Sequence, residues 1–184
     1  MGKVKQLLPF EGQTIIEHVV ATLISSRVDE TIVVLGHEAE QITRVLTPYP
    51  VKTVINPLYR EGGMLSSLVR GIEETPVQAD VICVVLGDQP FITREIIDTL
   101  IATYQSGGKG IVIPTCKGRR GHPVLLHLAV YREEITALSS DLGLKALMLR
   151  HSDDLFEVEV GDEAILTDLD YPKDYEAALR RRVS

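Results

Sequence analysis

The strongest constraint in this sequence is the repeated alternation of short apolar runs with stretches of helical periodicity. The runs "ETIVVLG" (30–36), "VKTVIN" (51–56) and "DVICVVLG" (80–87) are each followed by a segment of helical character. Apolar, β-branched runs of this kind are typical of strands buried on both faces. Because parallel strands are joined by crossover helices, the alternation predicts an α/β fold with a mostly parallel sheet and helices on both faces.

Capping signals mark several of the expected helices. Thr14 and Glu17 form a capping-box pattern, Thr93 is a suitable N-cap, and Pro172 suits a first helical turn. We expect helices over 15–24, 38–46, from the "EGGMLSSL" region to Glu74, from Thr93 to Tyr104, over 128–137 and 143–150, and from Pro172 onward. Further strands are expected at "GIVIPT", "PVLLH" and "LFEVEV".

Composition excludes several classes of protein. A length of 184 residues fits one domain, 1–184, and a net charge of −7 argues against broad nucleic-acid binding. The apolar runs are too short to span a membrane, and no signal-peptide pattern is present, so we expect a cytoplasmic protein without membrane contact. Two isolated cysteines, Cys83 and Cys116, predict neither a disulfide framework nor a zinc cluster.

Polar residues follow the predicted strands, where ligands of parallel sheets bind. In "LGDQP", Asp88 comes directly after a buried strand and a glycine. Its carboxylate could hold a hard cation such as Mg²⁺, which uses one or two protein carboxylates beside substrate phosphates. The alternative is a turn or helix-capping aspartate, since Asp and Pro are common in turns.

The segment "NPLYREGGMLSSL" supplies a second candidate site. Gly62, Gly63, Ser66 and Ser67 fall at an expected helix N-terminus, where free backbone N–H groups and the helix dipole favour an anion. A flexible loop followed by a serine-containing helical turn is the equally open alternative. The motif matches neither a Walker loop nor a dinucleotide fingerprint.

Three further sets of residues allow two interpretations. Arg119, Arg120 and His122 in "KGRRGHP" could contact an acidic substrate, although a plain turn between strands is favoured. His37 in "LGHEAE" is better explained as a helix-start residue. In "LTDLDYPKD", Asp168 and Asp170 have strand-like spacing. Asp170 is either the N-cap of the last helix, which is the safer interpretation, or a second carboxylate near the cation.

Six segments taken in order resemble the molybdenum-cofactor cytidylyltransferase family within the MobA-like nucleotidyltransferases, over nearly the whole chain. They are "KVKQLLPFEGQTIIEHVV", "VVLGHEAE", "NPLYREGGMLSSLVRGI", "VICVVLGDQPFIT", "GRRGHPVLL" and "LTDLDYPKDY". The resemblance implies a Rossmann-like three-layer sandwich of the nucleotide-diphospho-sugar transferase type. It also implies Mg²⁺-dependent transfer of CMP from CTP to the phosphate of molybdopterin, with release of pyrophosphate and a possible molybdoenzyme client.

The resemblance also implies roles for individual residues. Lys5 would contact the nucleotide phosphates and stabilise charge in the transition state, and Asp88 would hold Mg²⁺, with Asp170 as a possible second ligand. The nucleotide or pterin pocket would be lined by residues at the ends of the first two visible strands and by the "RRGHP" turn. These substrate-binding candidates are Gly36, His37, Asn56, Gly62, Gly63, Ser66, Ser67, Arg120 and His122.

The start of the chain departs from the family pattern. Family members begin with an apolar strand and a loop of the type LAAGxSxRMG, whose backbone amides and arginine hold the triphosphate. Here Met1 and Gly2 match only the final two residues of that loop. We therefore expect the first strand, which is central in the family fold, to be missing from the sheet, leaving unpaired backbone groups on its neighbours.

Two alternative functions remain open. A related nucleotidyltransferase acting on a sugar phosphate or other phosphorylated acceptor would use the same sheet, lysine and aspartate. A non-catalytic protein that binds molybdopterin and delivers it to an enzyme would not need the triphosphate loop. The response of pterin binding to CTP distinguishes the second alternative from both transferases.

Overall fold

The computed structural model describes residues 4–107, 109–138, 142–170 and 172–180. Met1 and Gly2, which match the end of the family's phosphate loop, lie outside the described residues. The α/β architecture predicted from the alternating pattern is confirmed.

The expected helices are present, with ends within a few residues of the predicted positions. Thr14 and Glu17 form the predicted capping box, and the Thr93 hydroxyl accepts a hydrogen bond from the backbone N–H of Ile96 at 3.4 Å. The helices are α1 (Ile15–Ser25), α2 (Ala39–Leu46), α3 (Gly63–Glu74), α4 (Arg94–Gln105), α5 (Leu128–Thr136), α6 (Leu144–Arg150) and α7 (Pro172–Arg180).

The strands fall into three groups by backbone hydrogen bonding. They are β1 (Pro9–Phe10), β2 (Gln13–Thr14), β3 (Ile32–Leu35), β4 (Lys52–Ile55), β5 (Val81–Val84), β6 (Ile111–Cys116), β7 (Arg119–Arg120), β8 (Val124–His127) and β9 (Leu155–Glu159). β1 and β2 form a hairpin, β3 pairs in parallel with β4, and β5–β9 form a five-stranded sheet. Within that sheet β8 is antiparallel to both β5 and β6, whereas β9 is parallel to β6. β5, β6 and β9 therefore run in one direction.

Within the residues that the structure describes, the β3–β4 pair and the sheet that contains β5 share no backbone ladder. Among the described residues, no strand pairs with the free edge of β3 or of β5. Three of the four residues of β3 and all four of β5 are only half-buried, although their apolar sequences predict burial on both faces. By contrast, every residue of β6 is buried. An unpaired edge on each of these two strands explains the difference.

Helices cover both faces of the five-stranded sheet, and α1 also connects this sheet with the β3–β4 pair. Alternate residues of β5 face opposite layers: Val81 and Cys83 pack with α1 and α4, whereas Ile82 and Val84 pack with α3 and α5. α1 contributes Ile16 and Val20 to the core beside β3, and Val19 and Leu23 to the core beside β5 and β6. The five-stranded sheet thus lies between a layer that contains α1 and α4 and a layer that contains α3 and α5.

Three small features are absent from the predictions. β1 and β2 join through Glu11 and Gly12, both with positive φ, as a tight two-residue hairpin turn requires. β7 pairs with the end of β6 across the turn at Lys117 and Gly118. Short 3₁₀ segments precede β1, β9 and α7.

No helix among the described residues is long and apolar enough to cross a membrane. Both cysteines are free thiols, with Cys116 buried in the core and Cys83 half-buried on β5. Packing in these strands accounts for both side chains.

Candidate active site

Lys5, Asp88 and Asp170 meet at one point although they are far apart in the sequence. The Nζ atom of Lys5 lies 2.5 Å from Oδ2 of Asp88 and 2.8 Å from Oδ1 of Asp170. The side chains are 27%, 18% and 57% exposed respectively, so solvent reaches the cluster from the side of Asp170. The structure thus brings together the three residues that the family resemblance assigns to chemistry.

Each member of this cluster is fixed by a different element. Lys5 begins a 3₁₀ turn (Lys5–Leu7), and its carbonyl accepts a hydrogen bond from the N–H of Leu8. Asp88 lies in the turn after β5, beside Gly87, where an added Cβ would lie 3.3 Å from Ile16. The backbone N–H of Leu169 donates to the carbonyl of Asp88 at 3.2 Å, which ties the two acidic segments together.

Opposite charges set the protonation of Lys5. Burial lowers its pKa, but hydrogen bonds to Asp170 and Asp88 and the charge of both carboxylates more than offset this. The net effect raises the pKa of Lys5 above its ordinary value, so the side chain is an ammonium at neutral pH.

A second set of polar groups lies beside the cluster. The buried Gln89 donates its side-chain amide to Oδ1 of Asp168 at 2.6 Å, and its Oε1 accepts no hydrogen bond from the residues that the structure describes. Burial lowers the pKa of His122, while the charges of Asp168 and Asp88 act in the opposite direction. His122 therefore lies near the carboxylates of Asp168 and Asp88. Sequence reasoning missed Gln89, and only its place after Asp88 could have indicated it.

The donor set fits a hard divalent cation. Two carboxylate oxygens from separate elements converge on a single cationic atom, and Mg²⁺ and Mn²⁺ prefer such oxygen ligands. No group of three or more His, Cys, Asp or Glu side chains that could hold a metal occurs in the described part of the chain. A cation here would therefore need further ligands from water or a bound substrate.

Asn56, Ser66 and Ser67 form a second group at the end of β4. The amide of Asn56 donates to Oγ of Ser66 at 2.9 Å and of Ser67 at 3.1 Å, and its oxygen accepts from the N–H of Leu58 at 2.9 Å. Asn56 is only 2% exposed. Its hydrogen-bonding groups are thus occupied within the protein, and it holds the loop 57–62 against the start of α3.

Gly36 packs directly against the side chain of Tyr59. A Cβ at this position would lie 2.5 Å from Cγ of Tyr59, so only glycine allows the ring to lie so close to the backbone. The ring centroids of His37 and Tyr59 are 6.5 Å apart. The guanidinium carbon of Arg60 lies 5.4 Å from the Tyr59 ring centroid. The expected helix begins just beyond His37, at Ala39.

A groove of about 490 Å³ runs beside α3. It is lined in part by Asn56, Leu58, Gly62, Ser66 and Arg70. Gly63 has a φ of +55° at the start of α3, a conformation that favours glycine. Three of the predicted substrate-binding residues, Asn56, Gly62 and Ser66, therefore border one groove.

Arg120 lies apart from these groups. Its guanidinium contacts Oε1 of Glu157 on β9 at 2.6 Å, an exposed ion pair between two strands that both pair with β6. In the same turn, Gly121 lies so close to the backbone of Ile165 that a larger residue would not fit at this position. Within the "RRGHP" turn, His122 is the residue near the charges of Asp168 and Asp88.

The three-layer α/β fold is that of the nucleotide-diphospho-sugar transferases, and in it Lys5, Asp88 and Asp170 converge from a 3₁₀ turn, the turn after β5 and the segment before α7. Residues 1–155 match the MobA-like NTP transferase domain, and the chain belongs to that family.

Known relatives differ in the activities named for them. The chain is 28% identical over 189 residues to the molybdenum cofactor cytidylyltransferase of Escherichia coli (strain K12), covering 98% of this chain and 90% of that protein. It is 25% identical over 172 residues to the nicotine blue oxidoreductase of Paenarthrobacter nicotinovorans, covering 90% and 83%. It is 33% identical over 106 residues to the bifunctional protein GlmU of Alkaliphilus metalliredigens (strain QYMF), covering 58% of this chain but 22% of that longer protein.

A solved structure shares the fold. The manganese complex of Rv0371c from Mycobacterium tuberculosis H37Rv superimposes with a TM-score of 0.83 at 23% identity, covering 97% of this chain and 92% of that one.

Proposed function

We propose that this protein transfers CMP from CTP to molybdopterin and releases pyrophosphate. The convergence of Lys5, Asp88 and Asp170 carries the proposal, because an ammonium binds phosphate oxygens and a pair of carboxylates binds a divalent cation. Similarity to a molybdenum cofactor cytidylyltransferase over almost the whole chain supports the choice of nucleotide and acceptor.

In the proposed reaction an oxygen of the molybdopterin phosphate attacks the α-phosphorus of CTP. The new P–O bond forms as the bond from the α-phosphorus to the oxygen of the departing pyrophosphate breaks. Catalysis of phosphoryl transfer depends mainly on positioning of the reactants and neutralisation of the charge on the phosphates. Lys5 would bind the phosphate oxygens and stabilise their charge, whereas Asp88 and Asp170 would hold Mg²⁺, which supplies further neutralisation when bound.

The remaining candidates are assigned to the substrate pocket. The start of α3 would bind a phosphate through the backbone N–H of Gly63 and the hydroxyls of Ser66 and Ser67, while Asn56 keeps the loop in place. The N–H of Gly62 donates to the carbonyl of Leu58 at 2.9 Å, so Gly62 would shape this site through its backbone. The Gly36, His37 and Tyr59 group offers a flat surface for a base or pterin ring, and His122 and Arg120 would border the acceptor. A cytoplasmic location and a molybdoenzyme client remain part of the proposal.

The test is pyrophosphate release from CTP in the presence of molybdopterin and Mg²⁺, with GTP as the competing nucleotide. Asp88→Asn should lower the rate by at least about a hundredfold, the scale of losing one electrostatic contact to a transition state. Asp29→Asn, which changes an exposed aspartate before β3, is the matched control.

Each other outcome points to a specific alternative. Turnover with GTP alone would reassign the nucleotide, and turnover with a sugar phosphate would reassign the acceptor. Molybdopterin binding that does not respond to any nucleotide would replace the enzyme with a delivery protein. Unchanged turnover in Asp88→Asn would remove that residue from the mechanism.

A further inference from the structure

The ammonium of Lys5 occupies the point at which the two candidate metal ligands converge. Its Nζ is within 2.8 Å of an oxygen from each aspartate, and the aspartates come from separate elements. A divalent cation bound between the same two oxygens would lie about 2.0–2.1 Å from each, on nearly the same site. An ammonium and a divalent cation repel each other strongly at such a separation, particularly in a partly buried site.

We propose that Lys5 acts as an internal counter-ion that competes with the divalent cation for Asp88 and Asp170. In the free protein the ammonium neutralises part of the carboxylate charge and keeps the cation weakly bound. An incoming triphosphate attracts the ammonium away from the carboxylates, and the cation enters with the nucleotide. The nucleotide part of this sequence rests on the proposed function, whereas the competition itself does not.

The surroundings of Lys5 allow its side chain to move while its backbone stays fixed. Val4 and Leu7 pack against the core beside β3, and Leu8 packs with Phe10 in another cluster. The N–H of Ile15 donates to the carbonyl of Leu8 at 3.0 Å, which ties the segment to the start of α1. The long lysine stem can therefore carry the ammonium from carboxylate to phosphate by changes in side-chain torsions alone.

The charge balance supports this order of events. Two carboxylates without a counter-charge repel each other, so the free protein benefits from the ammonium between them. A triphosphate offers the ammonium several oxygens and offers the cation additional ligands. Both charges then gain partners at once, and neither carboxylate loses its counter-charge.

The experiment measures Mn²⁺ affinity by electron paramagnetic resonance of the free ion, without nucleotide. Lys5→Met keeps the stem and removes the charge, and should bind Mn²⁺ at least about tenfold more tightly than the wild type. Lys5→Arg retains a cation and should bind as weakly as the wild type. Lys52→Met, which removes a lysine paired with Glu74 at 2.7 Å, is the control and should not change the affinity.

A second measurement adds CTP. Nucleotide should raise the apparent Mn²⁺ affinity of the wild type and reduce the difference between wild type and Lys5→Met. Equal or weaker Mn²⁺ binding by a folded Lys5→Met, checked by circular dichroism, would overturn the competition. Failure of CMP transfer with the Mn²⁺ difference intact would overturn only the proposed function.

Discussion

The backbone N–H of Leu169 donates a hydrogen bond of 3.2 Å to the carbonyl oxygen of Asp88. This contact joins the turn after β5 to the segment that carries Asp168 and Asp170. The side chain of Leu169 is only 1% exposed and packs with Phe10 and Ile15. The position of the second carboxylate is therefore determined by burial of an apolar residue that lies beside it.

Leu169→Ala should consequently lower both stability and the order of the site. Removal of a buried leucine side chain costs about 2–5 kcal/mol of unfolding free energy, which urea denaturation measures. Leu149→Ala is the matched control, because Leu149 is 62% exposed, and its effect should stay within about 0.5 kcal/mol. Equal losses in the two variants would show that Leu169 has no special anchoring role.

Asn56→Ala should destabilise the loop between β4 and α3. The substitution removes three hydrogen bonds, those from the Asn56 amide to Ser66 and Ser67 and that from the N–H of Leu58, at a net cost of about 0.5–1.5 kcal/mol each. Urea denaturation gives the total loss, and amide exchange at Leu58 reports the local opening. Gln41→Ala removes an exposed amide on α2 and provides the comparison.

Gly36→Ala should displace the Tyr59 ring, because the new methyl group would lie 2.5 Å from its Cγ. Overpacking of this kind costs about 1–3 kcal/mol. In the double variant with Tyr59→Gly, which removes both the ring and the Cβ that would lie 2.6 Å from the new methyl group, the clash is absent. The two substitutions should therefore be strongly non-additive. Additive losses in a double-mutant cycle would contradict the close packing of Tyr59 on Gly36.

His122 should make the protein less stable in mild acid. Its pKa is lowered by burial from an ordinary value of 6.5, so the unfolded chain binds a proton more readily than the folded chain. The stabilisation is present above that value and is lost as the pH falls through the folded-state pKa. Unfolding free energies at pH 7.5 and 5.5 should differ less in His122→Gln than in the wild type, and an identical difference would contradict the buried environment.

The sequence predicted the helices and long strands well, since capping residues and apolar periodicity are local signals. The Thr14–Glu17 capping box and the Thr93 cap are clear examples. The β1–β2 hairpin was missed because its strands contain only two residues each, too few to show an alternating pattern. Burial of β3 was overestimated because an apolar sequence does not report whether both edges of its strand are paired.

The candidate site was only partly predictable. Asp88 could be singled out by its position after a strand, but Lys5 was identified through family resemblance, since no local pattern connects it with Asp170, 165 positions later. The bond between Gln89 and Asp168 is also a product of tertiary folding. Asn56 was expected to bind substrate, yet its side chain is engaged with Ser66 and Ser67, a distinction that only the folded arrangement reveals.

The β3–β4 pair and the five-stranded sheet are held together by helices. Within the described residues, side-chain packing of α1 and α3 connects the two parts where a continuous sheet would have a ladder of backbone hydrogen bonds. Packed helices slide with small side-chain adjustments, whereas a ladder resists such shear. We therefore expect small displacements to be easier across this packing than within either ladder, while the Leu169–Asp88 bond keeps the acidic segments in register.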